Sequence, residues 1–193
     1  MKYRILTIIP VIMLLAIFIS GCSHLKSPFC PMREWRYEEY ALGMGAEATL
    51  INSDGEEVGM IDLEETRDGL KIMVNITDLP PGEHALHIHE YAECDPPDFK
   101  SAGGHFNPFK TQHGFLNPAG PHSGDLPNFM VEEDGTANLT LITKRVTLRH
   151  GPKNSLFRHG GTSFVIHKNP DDYITDPAGM GGARIACGII RRK

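Results

Sequence analysis

The stretch LKIMVNIT, Leu70 to Thr77, sets the fold. Leu70, Ile72, Val74 and Ile76 alternate with Lys71, Met73, Asn75 and Thr77, the period of two that puts apolar side chains on one face of an extended chain. Asp68-Gly69 turns the chain just before it, and upstream of that turn Ile61 and Leu63 alternate with Asp62 and Glu64. Earlier still, Ala46, Ala48 and Leu50 alternate with Glu47 and Thr49, and Ser53-Asp54-Gly55 makes the turn that follows. Downstream, LPPG (Leu79 to Gly82) connects to a strand in which Leu86 and Ile88 alternate with His87 and His89. Phe129 with Val131, a turn at Asp134-Gly135, the inward set Ala137, Leu139 and Leu141, and the runs Ser163 to His167 and Arg184 to Ile190 bring the count to about eight strands. The expectation is one all-β domain, a sandwich or flattened barrel.

His84 to Asp125, HALHIHEYAECDPPDFKSAGGHFNPFKTQHGFLNPAGPHSGD, breaks that rhythm. After the strand comes a long loop rich in Gly and Pro, and loops beyond roughly 12 to 15 residues without structure of their own are usually functional or disordered. This one carries His105, His113, His122 and Asp125, and three imidazoles with one carboxylate suit a closed tetrahedral zinc site. His87 and His89 share one strand face, and His167 ends the apolar run Phe164 to Ile166. An all-imidazole, partly open site of these three favours copper. An open position on a redox metal implies chemistry.

The segments HIHE with Cys94, SAGGHFNP, HG at His113, GPHSGDLPN, VIHKNPDDY and GGARIACGII resemble the copper/zinc superoxide dismutase family in order and spacing, from about Gly45 to Ile190. The resemblance implies an eight-stranded Greek-key β-barrel, an immunoglobulin-like sandwich with long metal-binding loops. It implies copper ligands His87, His89, His105 and His167, and zinc ligands His105, His113, His122 and Asp125, so that His105 is a shared bridging imidazolate. Asp171 matches the family's carboxylate linking His87 to His113. Cys94 and Cys187 match its intrasubunit disulfide, and Arg184 its anion-guiding arginine. His84, three residues before His87, is structural on the same resemblance. The implied activity is disproportionation of superoxide to dioxygen and hydrogen peroxide, with Arg184 and His105 in the catalytic roles. A non-catalytic copper-binding or zinc-stabilised envelope protein of the same fold is the alternative.

The N-terminus points to a compartment. Lys2 and Arg4 precede a continuous apolar run, Ile5 to Ile19, which fits a secretory signal and is shorter than the about 20 residues of a membrane span. Ile19-Ser20-Gly21-Cys22 looks like a bacterial lipobox, so residues 1–21 are read as a lipoprotein signal peptide and Cys22 as a lipidated N-terminus. An uncleaved anchor is the other reading, and either leaves the domain extracytoplasmic, attached to the cell membrane or envelope. Residues 22–44 are read as lipidated N-terminus and tether, and 45–193 as the domain. Pro28 and Pro31 oppose a helix at the tether's start, Trp35 fits a place on the domain edge, and Cys30 is left either free or paired between chains. An oxidising compartment permits the implied disulfide.

The formal net charge of −5 becomes −7 once Lys2 and Arg4 leave with a signal peptide. That balance, with no basic run, excludes a nucleic-acid site. It also repels an anionic substrate overall, so superoxide capture needs a local positive patch. Arg184 is the chief candidate for it, Lys168 the second, and Lys100 or Lys110 could serve. Whether the protein is a monomer or a homodimer is not legible in the chain.

Overall fold

Strand β3, Gly69–Ile76, lies at the centre of one wall, with Leu70, Ile72, Val74 and Ile76 turned into the core. Its neighbours are β2, Glu57–Thr66, and β7, Ala137–Thr143, both antiparallel. The computed structural model describes residues 42–193, so the expected signal peptide and most of the tether, with Cys22, His24, Cys30 and Trp35, lie outside the described residues. The other strands are β1 (Gly45–Asn52), β4 (Gly82–His84), β5 (Leu86–His89), β6 (Phe129–Val131), β8 (Ser163–His167), β9 (Arg184–Ile189) and β10 (Arg191–Arg192). Among the described residues there is no α-helix, only one 3-10 turn at Lys100–Ala102.

The main sheet runs β5-β8-β9-β1-β2-β3-β7, with β10 beside β1, and β4 pairs β6 separately. Ten segments reduce to the expected eight passes, because β4 and β5 are one strand interrupted at Ala85, and β9 and β10 one interrupted at Ile190. The chain leaves β3 and crosses to β4, which pairs β6. A tight turn, with Glu132 N–H donating to Thr136 O, then sends β7 back beside β3. That crossover is the Greek-key connection of an all-β barrel. The core collects the inward residues of nearly every strand, among them Leu50, Ile61, Leu63, Ile72, Leu86, Ile88 and Phe164.

Two features carry the loops. A second apolar cluster of Phe99, Ala102, Val165 and Cys187 packs outside the barrel with Ile51 and Cys94, and the Cys94–Cys187 disulfide ties that loop to β9. At the other end of the molecule, Glu65 is buried, accepting from Thr147 Oγ1 at 2.7 Å and Leu148 N–H at 2.7 Å. It thereby fixes the connection from β7 to β8.

Candidate metal centre

The long loop begins and ends against β5. Antiparallel bridges His87↔Asp125 and His89↔His105 flank the strand, and Ile88 N–H donates to Gly124 O while Phe106 N–H donates to Ile88 O. A side chain at Gly124 would overlap the Ile88 carbonyl, so only glycine allows the loop to close there. Histidines from the strand and from both loop ends are thus brought to one place. His167 arrives from β8, whose Val165 pairs His87.

Two buried clusters result, His87, His89, His105 and His167, and His105, His113, His122 and Asp125, each with its ligand atoms within 4.8 Å of one another. The first can be read proton by proton. His87 Nε2 donates to Asp171 Oδ2 at 2.8 Å, His89 Nδ1 to Gly103 O at 3.0 Å, His105 Nδ1 to Asp125 Oδ1 at 3.0 Å, and His167 Nδ1 to Gly182 O at 3.3 Å. In the metal-free protein these acceptors assign the proton of each ring to the nitrogen that faces them, which leaves the other with a bare lone pair. His87 Nδ1 and His105 Nε2 are buried without a hydrogen-bond partner, and the Nε2 atoms of His89 and His167 face each other at 3.4 Å. Four bare imidazole nitrogens facing one another fit a copper ion.

The second cluster gathers on one oxygen. Asp125 Oδ1 lies 3.0 Å from His105 Nδ1, 3.1 Å from His113 Nδ1 and 3.4 Å from His122 Nδ1. Asp125 Oδ2 accepts the N–H groups of Gly114 and His122. Three Nδ1 atoms and one carboxylate oxygen are a donor set that fits zinc, with both shared contacts of His105 accounted for by its two nitrogens. Asp171 spans the clusters, because its Oδ1 also accepts from His113 Nε2 at 2.9 Å.

The electrostatics follow from this placement. Burial, with repulsion among the rings, lowers His89 well below the ordinary value and His167 to about 3. Burial lowers His105 to about 4, partly offset by its bond to Asp125. Burial also works against a charge on His113, but hydrogen bonds to Asp125 and Asp171 outweigh it and raise that ring to about 9. Burial pushes Asp125 and Asp171 upward, and hydrogen bonds from the histidines overcome it, holding both carboxyls far below the usual range. The metal-free centre therefore holds positive charge where His113 sits between two carboxylates. A bound cation would take that place.

Arg184 lies beside the first cluster. Its guanidinium donates to Phe99 O at 2.6 Å and to Gly103 O at 2.7 Å, the carbonyl that also accepts from His89. Burial lowers its pKa, from a value high enough that the charge stays. Lys100 is exposed and already paired with Asp98 at 2.6 Å, and Lys168 and Lys110 are exposed. His84 is buried with its ring between the carbonyls of His167 and Pro80, outside both clusters.

Residues 57–190 match the copper/zinc superoxide dismutase (SODC) family model. The chain belongs to the copper/zinc superoxide dismutase family. It is 52% identical over 145 residues to superoxide dismutase [Cu-Zn] 1 of Aquifex aeolicus, covering 75% of this chain and 86% of that protein. Among solved structures, a SOD-like protein from Bacillus subtilis superposes with a TM-score of 0.73 at 42% identity, over 76% of this chain and 98% of that one. The Cu/Zn superoxide dismutase from Brucella abortus gives a TM-score of 0.62 at 31% identity, over 75% and 98%. Copper and zinc are the metals of the superoxide dismutase family, and the two histidine clusters are built to receive them.

Sequence reasoning gave no role to several residues around this superoxide dismutase centre. Asn128 holds the Asp171 backbone at both ends, accepting from its N–H at 2.8 Å and donating to its carbonyl at 3.0 Å. Tyr173 hydroxyl accepts from Asn128 N–H, and the Tyr173 carbonyl accepts from Leu116 N–H. Asp176 reaches His113. Asn128 stood in the quoted segment GPHSGDLPN, three residues past Asp125, but spacing alone carries no partner.

Proposed function

We propose that this protein disproportionates superoxide, two anions and two protons giving one dioxygen and one hydrogen peroxide, and that it does so outside the cytoplasm as a lipid-anchored protein of the cell envelope. The observation that carries the catalytic reading is the four bare imidazole nitrogens held around one point, one of them on a ring whose second nitrogen serves the neighbouring cluster. His87 Nδ1 and the Nε2 atoms of His89, His105 and His167 would hold copper. The Nδ1 atoms of His105, His113 and His122, with Asp125 Oδ1, would hold zinc. Copper when bound supplies a one-electron couple that one superoxide reduces and the next oxidises, and zinc supplies a fixed charge beside the shared ring.

The chain's own residues do the rest. Arg184, its donors fixed by two carbonyls, offers remaining N–H groups and a positive charge to the incoming anion. His105 turns Nδ1 to the zinc side beside Asp125, so that its Nε2 faces the copper side and can serve either as ligand or as carrier of a proton for the peroxide product. Asp171 and Asn128 hold His87 and His113 in register. The test is superoxide turnover by the purified protein loaded with copper and zinc, with metal content assayed on the same sample. Turnover that tracks copper occupancy and is lost on chelation supports the reading. Full copper occupancy without turnover moves the weight to a copper-binding envelope protein.

The location rests on the n-region, apolar run and lipobox-like Ile19 to Cys22. Cys22→Ser should move the protein from the membrane to the soluble fraction, and mass spectrometry of the N-terminal peptide should find acylated Cys22. A soluble wild type retaining Met1 would end that part of the proposal.

A further inference from the structure

Three carboxylates stand in the loop Lys168 to Gly182, where each works against the approach of an anion. Two have evident structural tasks. Asp171 links the clusters, and Asp172 builds the loop, its Oδ1 accepting the N–H groups of Ile174 and Thr175 and its Oδ2 the Thr175 hydroxyl. Asp172 N–H donates to Gly179 O and Gly179 N–H to Thr175 O, so the segment closes on itself. That closure presents Asp176 to the neighbouring loop. Asp176 Oδ1 accepts the backbone N–H of His113 at 2.6 Å and lies 3.9 Å from His122 Nε2.

His122 turns Nδ1 toward Asp125, so Nε2 points out of the cluster. A histidine that binds metal through one nitrogen generally offers its other N–H to a carboxylate, carbonyl or water, and such partners set ring orientation and ligand basicity. Asp176 is the carboxylate at that position, and the same oxygen anchors the backbone of a second histidine of the set. Gly179 adds a grip from the other side, packed so closely on Asp171 and the His113 ring that a Cβ there would overlap both.

We infer that Asp176 is a positioning residue of the zinc cradle, holding His113 by its backbone N–H and standing beside the outward Nε2 of His122, so that zinc affinity depends on the loop that also lines the copper side. This inference rests on the zinc assignment made above.

The test is zinc affinity of the full chain by chelator competition, for wild type, Asp176→Ala and Asp176→Asn, with copper affinity, the visible spectrum of the cobalt-substituted zinc site and metal-free melting recorded alongside. Losing an outer partner of this kind costs about 10- to 100-fold in metal affinity. Asp176→Ala should fall in that range and shift the cobalt bands. Asp176→Asn keeps an oxygen for the His113 N–H and loses the charge, so it should fall between. Copper affinity and metal-free melting should stay near wild type in both. Wild-type zinc affinity in both variants overturns the inference, as does a parallel fall in zinc affinity, copper affinity and metal-free melting, which would mean loop packing alone. Failure of the underlying zinc assignment has a different signature, a wild-type protein that takes up no zinc.

Discussion

β3 and β5 read alike as sequence and live in different surroundings. Both alternate apolar and polar residues, GLKIMVNI in one and LHIH in the other. In β3 the polar side chains reach solvent, as Lys71 does at 35% side-chain exposure, whereas all four residues of β5 are buried. The reason is outside the strand. Phe106 and Gly124 bond to Ile88 along the edge of β5, and the His105 and His113 rings of that loop pack against His87 and His89 on its outer face. A polar face that is covered must find partners or pay for desolvation. In β5 the partners are carboxylates, carbonyls and, in the loaded protein, metal. The period of two decides which residues face the barrel interior; it says nothing about what covers the other face.

The sharpest way to break this comparison is to remove a ligand from the covered face. His87→Ala should lower superoxide turnover by roughly a thousandfold or more, the scale of several kcal/mol of metal assistance. Copper content should fall with it, while the far-ultraviolet circular dichroism stays that of a β protein. Wild-type turnover in this variant would sink the assignment of His87 to copper.

Ile72 tests the open wall. It is fully buried in the core, and Ile72→Ala should cost about 2–5 kcal/mol of unfolding free energy through lost burial and the cavity left behind. Turnover per bound copper should be unchanged. Denaturant unfolding of the loaded protein beside an activity assay checks both halves. An activity loss at intact stability would mean the wall and the site are not separable.

The same contrast explains what could be read from the chain. β1, β2, β3, β5 and β7 announced themselves through alternation, and Asp-Gly turns marked several of their ends. β4 and β10, of three and two residues, are too short to have a period, while β6, also of three, is read from Phe129 and Val131. Glu65 continues the inward phase of Leu63, yet a buried carboxylate is not legible without Thr147 and Leu148, which come from 82 and 83 residues away. At the site, residue types were enough to group His105, His113, His122 and Asp125. The sharing of His105 and the linking role of Asp171 came only with the family resemblance. The role of Asp176 was not legible because its partner, the His113 backbone N–H, has no signature in a side-chain pattern.

A smaller effect separates the two regions by pH. In the metal-free protein His89, His105 and His167 have folded-state pKa values below the ordinary 6.5, with His105 at about 4 and His167 at about 3. The folded state binds fewer protons than the unfolded state as pH drops below 6.5, so their contribution is stability lost on acidification. His113, raised to about 9, acts oppositely: its contribution is complete below 6.5 and disappears as pH rises through 9. Metal-free protein should therefore melt highest near pH 6.5, with the melting temperature falling on both sides. Loaded protein, its ring nitrogens occupied as ligands, should give a flatter profile in calorimetry from pH 4 to 10. A flat metal-free profile would mean that the buried imidazoles do not govern the covered face.

The smallest expected effect lies one residue from one of the largest. Lys71 precedes Ile72 in β3, and its contact with Glu64 is 3.8 Å long between side chains that are 35% and 48% exposed. Exposed pairs of this kind contribute about 0–1 kcal/mol, and the low end is expected at that distance and exposure. Lys71→Ala should thus leave turnover unchanged and melting within about 2 °C of wild type, although the adjacent substitution at Ile72 costs several times as much. No such dispensable neighbour is expected in β5. Ile88 fills the barrel core, and His89 on the opposite face bonds Gly103 and faces His167. Substituting alanine at either should damage the protein, the first in stability and the second in copper retention. A His89→Ala protein that kept its copper and its turnover would show the covered face of β5 to be as tolerant as the open face of β3, and the two strands would then differ only in what shields them from water.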